Sequence, residues 1–292
     1  MSDESNRRAL DKHYRDVVSK MMYYNGDLED PIPCCVDMVL DLVKFQMIKK
    51  MSSFSSEGHK FILKRLLNFS ETVECINELK RTAPRTQKLD DDQDEDSNDD
   101  EIKIKSPVDS HFARMKNFVS SMGVAGNVGH LLELTDPELN ERQRRIANTV
   151  MHDLSVEEYT RFTAARAASF LDDMKGKSKK KYEKGDLLFW LDAPPCEPSV
   201  SFVLAFIGRE VVAYYVDAAI MVMKTEEPNL FLNDTKDGHV AAPYEDCPLQ
   251  IRHYKEALRR CEGWRRRRDF LFGYYEEPEG DGLQENKDKI SL

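Results

Sequence analysis

Two long stretches of the chain carry apolar side chains at helical spacing, and neither can bury its apolar face alone. In the first, apolar residues recur every three or four positions from Val36 to Phe54, which predicts a helix of about six turns. The second begins at Pro198 and continues to about Lys224, since proline is tolerated in the first turn of a helix. We expect the two helices to cover each other, with these residues in the core: Val36, Leu40, Val43, Met47, Val203, Ile207, Val211 and Tyr214.

Shorter helical patterns flank the first long helix. One ends at Tyr24, where Asn25 and Gly26 suit a tight turn because both residues tolerate positive φ. After the long helix, residues 61–79 predict two short helices, the second with Ser70 as its N-cap.

The second long helix is flanked in the same way. Asp136 is a suitable N-cap with Pro137 at the first helical position, and Ser155 with Glu158 forms a capping-box pattern. A last short helix is predicted within 248–264. The predicted fold class is therefore all-α, and the repeated short, long, short order is typical of two histone folds in one chain that form an intramolecular pair.

The negative charge of the chain is concentrated in one window. The formal net charge is −10, and residues 90–101 hold nine acidic residues and no basic one. Without this window the formal net charge of the chain is near −1. Acidic runs of this kind are normally disordered and solvated. The predicted organisation is an N-terminal polar segment (1–14), a first histone fold (15–81), a linker (82–134) that is acidic and disordered at 88–105, a second histone fold with a preceding helix (135–264), and a basic then acidic tail (265–292). Within the linker, residues 111–123 carry apolar side chains at helical spacing and indicate a short docking helix.

Catalytic, metal-binding and membrane signals are weak. No H-E-x-x-H, phosphate-loop, nucleophile-elbow or kinase motif occurs, and the glycines of 123–129 predict a turn. The six cysteines form no C-x-x-C pair and fit reduced thiols. The polar N-terminus and the charges within 200–223 favour an intracellular chain that does not span a membrane. We therefore expect no enzyme activity, no cofactor, no metal and no small-molecule substrate.

Two sets of segments resemble the Spt-three family of SAGA coactivator subunits. "MMYYNGDLEDPI" and "VDMVLDLVKFQM" are similar to its N-terminal half, which is itself similar to TBP-associated factor thirteen. "ERQRRI", "FTAARAASF", "FWLD", "SFVLAFIGREVVAYYVDAAIMV" and "PLQIRHYKEALRR" resemble its C-terminal half, which is similar to TBP-associated factor eleven. The resemblance implies a nuclear, non-catalytic histone-fold subunit that binds TATA-box-binding protein (TBP) and neighbouring SAGA subunits and supports initiation by RNA polymerase II.

Four charged residues are candidates for specific roles. Glu210 and Arg209 lie in the second long helix, where an exposed charge would either contact TBP or a neighbouring subunit or simply face solvent. Asp217 near the end of that helix is expected to form a structural ion pair with Arg252.

Two other interpretations of the sequence stay open. One is a subunit of the TFIID type, and the other is a histone-fold pair that binds DNA. The basic runs at 175–184 and 265–268 could contact phosphate, but basic runs also serve only to solubilise a chain. No base-reading chemistry lies near them, so DNA contact is expected to be indirect or nonspecific.

Overall fold

The computed structural model describes residues 3–52, 60–82, 110–121, 128–149, 154–171, 186–194, 196–228, 247–263, 268–269 and 273–274. These residues are mostly helical, as the sequence predicts. The helices are α1 (Asp3–Tyr24), α2 (Pro33–Ser52), α3 (Lys60–Thr82), α4 (His111–Ser121), α5 (Val128–Glu133), α6 (Pro137–Thr149), α7 (Val156–Arg166), α8 (Asp186–Trp190), α9 (Pro198–Glu226) and α10 (Ile251–Gly263), and a two-residue antiparallel pair joins β1 (Arg268–Asp269) to β2 (Gly273–Tyr274).

The two long apolar helices, α2 and α9, pack on each other at the centre of the molecule. Gly208 of α9 makes room for this packing, since a Cβ atom built there would overlap Cε of Met47 and lie 2.8 Å from Cε2 of Phe170. Helix α10 also packs on α9, while α1 contacts α2, α7 and α9. Helices α1 and α2 therefore share one core with α9 and α10.

The expected core residues of α2 and α9 belong to this core. Six are buried, while Val203 and Tyr214 are partly buried against the same cluster. By length and composition alone α9 could cross a membrane, but 67% of its apolar window is buried within the fold. An apolar helix covered in this way is the normal centre of a protein core.

Helix α1 corrects the prediction of an N-terminal polar segment over 1–14. The helix begins at Asp3, and its residues Leu10 and Tyr14 are buried in the core. Its polar side chains are used as well, because Nε1 of Trp190 donates a hydrogen bond to Oδ1 of Asp11 at 2.7 Å. Because most residues of 3–14 are polar, the sequence pattern did not reveal the few apolar side chains that this part of the helix buries.

Helix α3 corrects the prediction of two short helices within 61–79. It is a single helix of 23 residues, so Ser70 lies in its interior and is not an N-cap. The buried hydroxyl of Ser70 donates a hydrogen bond to the carbonyl of Leu67 at 2.7 Å. Serine within a helix can satisfy its hydroxyl on the preceding turn in this way, so its presence alone does not mark a boundary.

Part of the predicted linker over 82–134 is packed structure. Helix α4 buries Met115 and Val119, α5 buries Val128 and Leu131, and both helices lie against α3. Helix α4 is the short docking helix expected within 111–123, whereas the linker prediction is wrong for α5. The following predictions concern segments outside the described residues: the acidic disorder at 88–105, the turn over most of 123–129, the basic run at 175–184, and most of the tail over 265–292.

The predicted starts of two helices are confirmed. Oδ1 of Asp136 accepts the N–H of Leu139 at 3.1 Å in front of α6. Ser155 and Glu158 form both hydrogen bonds of the capping box at the start of α7. These contacts are local in sequence, which is why the motif predicts them well.

Candidate functional site

The charged residues of α9 lie in a buried network that joins α3, α6 and α9, and Arg65 of α3 is at its centre. Nε and Nη2 of Arg65 donate to the two carboxylate oxygens of Asp136 at 2.6 and 2.9 Å, and Nη1 donates to Oε2 of Glu210 at 3.1 Å. The side chains of Arg65, Asp136 and Glu210 are 7%, 3% and 11% exposed. Arg65 therefore pairs with two carboxylates that water scarcely reaches.

The pKa values of this network follow from burial and pairing. Burial by itself would raise the pKa of Asp136, but the hydrogen bonds from Arg65 and from the Leu139 N–H outweigh it and lower that pKa. Burial likewise opposes the charge of Arg65, yet its bond to Asp136 and the charge of Glu210 raise its pKa overall. Both Arg65 and Asp136 are therefore charged at neutral pH.

A second group of ion pairs continues along α9. Asp217 accepts Nε of Arg142 at 2.6 Å and also pairs with Arg145. Nη1 of Arg142 lies 3.9 Å from Oε2 of Glu210, and Nη1 of Arg145 donates to the carbonyl of Asn25 at 3.2 Å. Two arginines of α6 thus cover the carboxylates of α9 and reach the turn after α1.

Two of the expected roles are corrected here. Glu210 is buried against Arg65, so it is neither an exposed contact nor a solvated face. Asp217 does form ion pairs, but with Arg142 and Arg145. The predicted pairing of Asp217 with Arg252 is wrong, because the guanidinium of Arg252 pairs with Glu227.

Arg209, the other expected partner contact, holds four helices together. Its guanidinium donates to the carbonyls of Arg166 and Ala168, at 3.2 and 3.3 Å, where α7 ends. The same group lies 5.4 Å from the ring centroid of Tyr24 and 5.9 Å from that of Phe69. Burial lowers the pKa of Arg209, and a cation held on aromatic faces and carbonyls contributes to packing. The half-buried guanidinium of Arg209 is therefore committed to contacts within the fold.

The turn after α1 is bound to the start of α10 through Asp27. Gly26 adopts a φ of 110°, and the carboxylate that follows accepts the N–H of Leu249 at 3.1 Å and the hydroxyl of Tyr254 at 3.0 Å. The thiol of Cys35 donates to the carbonyl of Leu249 at 3.4 Å, and burial raises its pKa to about 12. The turn therefore fixes α10 against the start of α2.

A surface cavity of about 450 Å³ lies where α9 meets α10, lined by residues that include Met223, Cys247 and His253. His253 is buried, and Nδ1 of its ring accepts the N–H of Gln250 at 3.1 Å. Burial, and then the charge of Arg252, lower the pKa of His253. Among the described residues no cluster of His, Cys, Asp or Glu could hold a metal ion.

The network residues that the sequence did not reveal are Arg65, Arg142 and Arg145. Asp136 was recognised as an N-cap, but its bond to Arg65 spans 71 positions and leaves no local pattern. A signal does exist in α3, where Arg65 lies between the buried residues Leu63 and Leu66. A single arginine on an apolar helix face indicates a buried anionic partner, although it does not identify that partner.

Comparisons with known proteins do not assign the chain to a family. No family model matches the chain, and neither the curated proteins nor the solved structures include a significant match.

Proposed function

We propose that this chain is a non-catalytic subunit of a nuclear transcription coactivator of the SAGA type, built as an intramolecular pair of histone folds. Its role is to bind TBP and neighbouring subunits and so to support initiation by RNA polymerase II. The observation that carries the proposal is the packing of α2 on α9 within one core, the arrangement expected of paired histone folds. The resemblance of the two halves to the Spt-three family, in the same order along the chain, supplies the function.

The partner surface has to lie outside the α9 charges, because Glu210 and Arg209 are committed to contacts within the fold. Helix α2 offers a different surface. Phe45 and Ile48 lie about one turn apart on it and are 57% and 44% exposed. Exposed large apolar side chains grouped on one face are typical of protein interfaces, and we assign these two residues to contact with a neighbouring subunit.

Affinity purification of the tagged full-length chain from nuclear extract tests this function. We expect TBP and SAGA scaffold subunits to co-purify, with the scaffold subunits in stoichiometric amounts through a high-salt wash. A double variant, Phe45→Ser with Ile48→Ser, should lose scaffold subunits while keeping its thermal stability. The matched control is Val156→Ser with Tyr159→Ser, which alters two exposed residues of α7 and should retain them.

The same purification separates the alternatives. Recovery with TFIID subunits in place of SAGA scaffold subunits would assign the chain to that complex. Binding of the purified chain to duplex DNA that falls steeply with salt would favour the DNA-binding histone-fold pair. Recovery without any transcription subunit would refute the proposal.

A further inference from the structure

Helix α6 is attached to the rest of the molecule mainly through charged side chains. Of its residues, Arg142 and Ile146 are buried, Leu139 and Arg145 are half-buried, and most of the others are exposed. The preceding Asp136 adds the bond to Arg65 already described. Glu138 also accepts a hydrogen bond from Arg65 at 3.2 Å. The attachment of α6 therefore depends on four charged side chains and few apolar ones.

The apolar anchor of α6 is small and separate from the main core. Ile146 packs in a satellite cluster with Tyr23, Phe162 and Ala165. Helix α4 is a useful contrast, because its buried residues Met115 and Val119 belong to the main core. The two helices have similar lengths but different kinds of attachment.

This difference has an energetic consequence. Buried ion pairs contribute little net stability, because the cost of removing both charges from water offsets their attraction. If α6 and Asp136 move away as a unit, Arg142, Asp217 and Asp136 return to water. Arg65 keeps its bond to Glu210, so no charge is left buried without a partner. Apolar contacts of the kind that hold α4 have no such compensation. The free energy needed to open α6 is therefore expected to be well below the free energy of global unfolding.

We propose that α6, together with Asp136, is a strap that opens as one unit while the core around α2 and α9 stays folded, and that the face it uncovers on α9 accepts an arginine-bearing segment of another protein. Glu210 and Asp217 are seven residues apart on α9, which is about two helical turns and places them on one face. The strap itself shows the chemistry that fits there, since it presents Arg142 and Arg145 about one turn apart. The proposal does not depend on the function assigned above.

Hydrogen exchange of the full-length chain tests the strap. Asp217→Asn removes the negative charge, and one of the two acceptor oxygens, that Arg142 and Arg145 share. Amides of α6 should therefore exchange at least about tenfold faster, because two hydrogen bonds lose their charged acceptor. Amides of α4 and α9 should keep their rates. The matched control is Arg144→Ala, an arginine on the same helix that is 69% exposed and pairs with Glu141, and α6 should be unaffected. Unchanged α6 exchange in Asp217→Asn, or equal acceleration of α4, α6 and α9, would overturn the strap.

Binding of the strap's own sequence in trans tests the uncovered face. The probe is a labelled synthetic peptide of residues 136–149, measured by fluorescence anisotropy. It should bind the Arg142→Ala, Arg145→Ala chain at least about tenfold more tightly than the wild-type chain, where the face is already occupied. Adding Asp217→Asn to that double variant should remove the gain. Absence of binding to the double variant, or binding that is indifferent to Asp217→Asn, would overturn the proposed face and leave the coactivator proposal untouched.

Discussion

Glu210→Lys should strongly destabilise the protein, because it places an ammonium group where Arg65 now meets a carboxylate. Glu210 and Arg65 are 11% and 7% exposed and joined at 3.1 Å, and Arg142 lies 3.9 Å away. Removing one partner of a buried pair costs about 3–5 kcal/mol, and the new cation faces two arginines. Because Arg65 keeps its bonds to Asp136, we do not expect a greater loss.

Urea unfolding followed by circular dichroism measures this loss directly. A domain has a total stability of about 5–15 kcal/mol, so the variant should show a clearly lower midpoint and a melting temperature lower by roughly 10 °C. Glu210→Gln keeps the shape and an acceptor oxygen, and should lose only about 1–2 kcal/mol. The matched control is Glu141→Lys, a surface glutamate on α6, which should stay within about 0.5 kcal/mol of the wild type.

A urea unfolding midpoint of Glu210→Lys equal to that of the wild type would refute the reasoning. It would mean that the carboxylate is reached by water in solution and that the network does not join α3 to α9. The original expectation of an exposed partner contact would then regain its basis.

Three further expectations follow from other contacts. Gly208→Ala should lose about 1 kcal/mol in urea unfolding, because overlap of the added methyl group with Met47 of α2 and with Phe170 outweighs the better helix propensity of alanine. A gain in stability would show that α2 and α9 are not closely packed there. Tyr254→Phe should lower the free energy of unfolding by about 1–3 kcal/mol, because the buried carboxylate of Asp27 loses a hydrogen-bond donor. An unchanged free energy of unfolding would indicate that water reaches this carboxylate. The pKa of His253 is lowered in the folded chain, so the unfolded chain binds a proton more readily and the free energy of unfolding should decrease as pH falls below about 6.5. Unfolding curves of His253→Asn recorded across that range should show a smaller decrease. An unchanged pH dependence in this variant would contradict the assignment of the effect to His253.

The local part of the fold was predictable from the sequence. The long helices, the capping box at Ser155 and the N-cap at Asp136 depend on side chains a few positions apart, and their patterns are visible in one chain. The tight turn at Gly26 was predictable for the same reason, since glycine readily adopts the positive φ found there.

The errors have physical causes that act over longer distances. Helix α1 extends over a polar sequence because Leu10 and Tyr14 suffice to bury one edge of it. Helix α3 continues through Ser70 because its hydroxyl bonds to the preceding turn. The prediction for Glu210 was wrong, because a carboxylate beside apolar residues in the sequence fits an exposed face as well as a buried ion pair. Its partner Arg65 lies 145 positions away, and only the folded structure brings the two side chains together.

The central claim is that α2 and α9 of one molecule cover each other, and a nuclear Overhauser experiment tests it most directly. The structure predicts a contact between the ε-methyl group of Met47 and the α-protons of Gly208. In a mixture of differently isotope-labelled full-length chains, this contact should appear within each labelled molecule and not between molecules. Its absence, or its appearance only between molecules, would contradict the account.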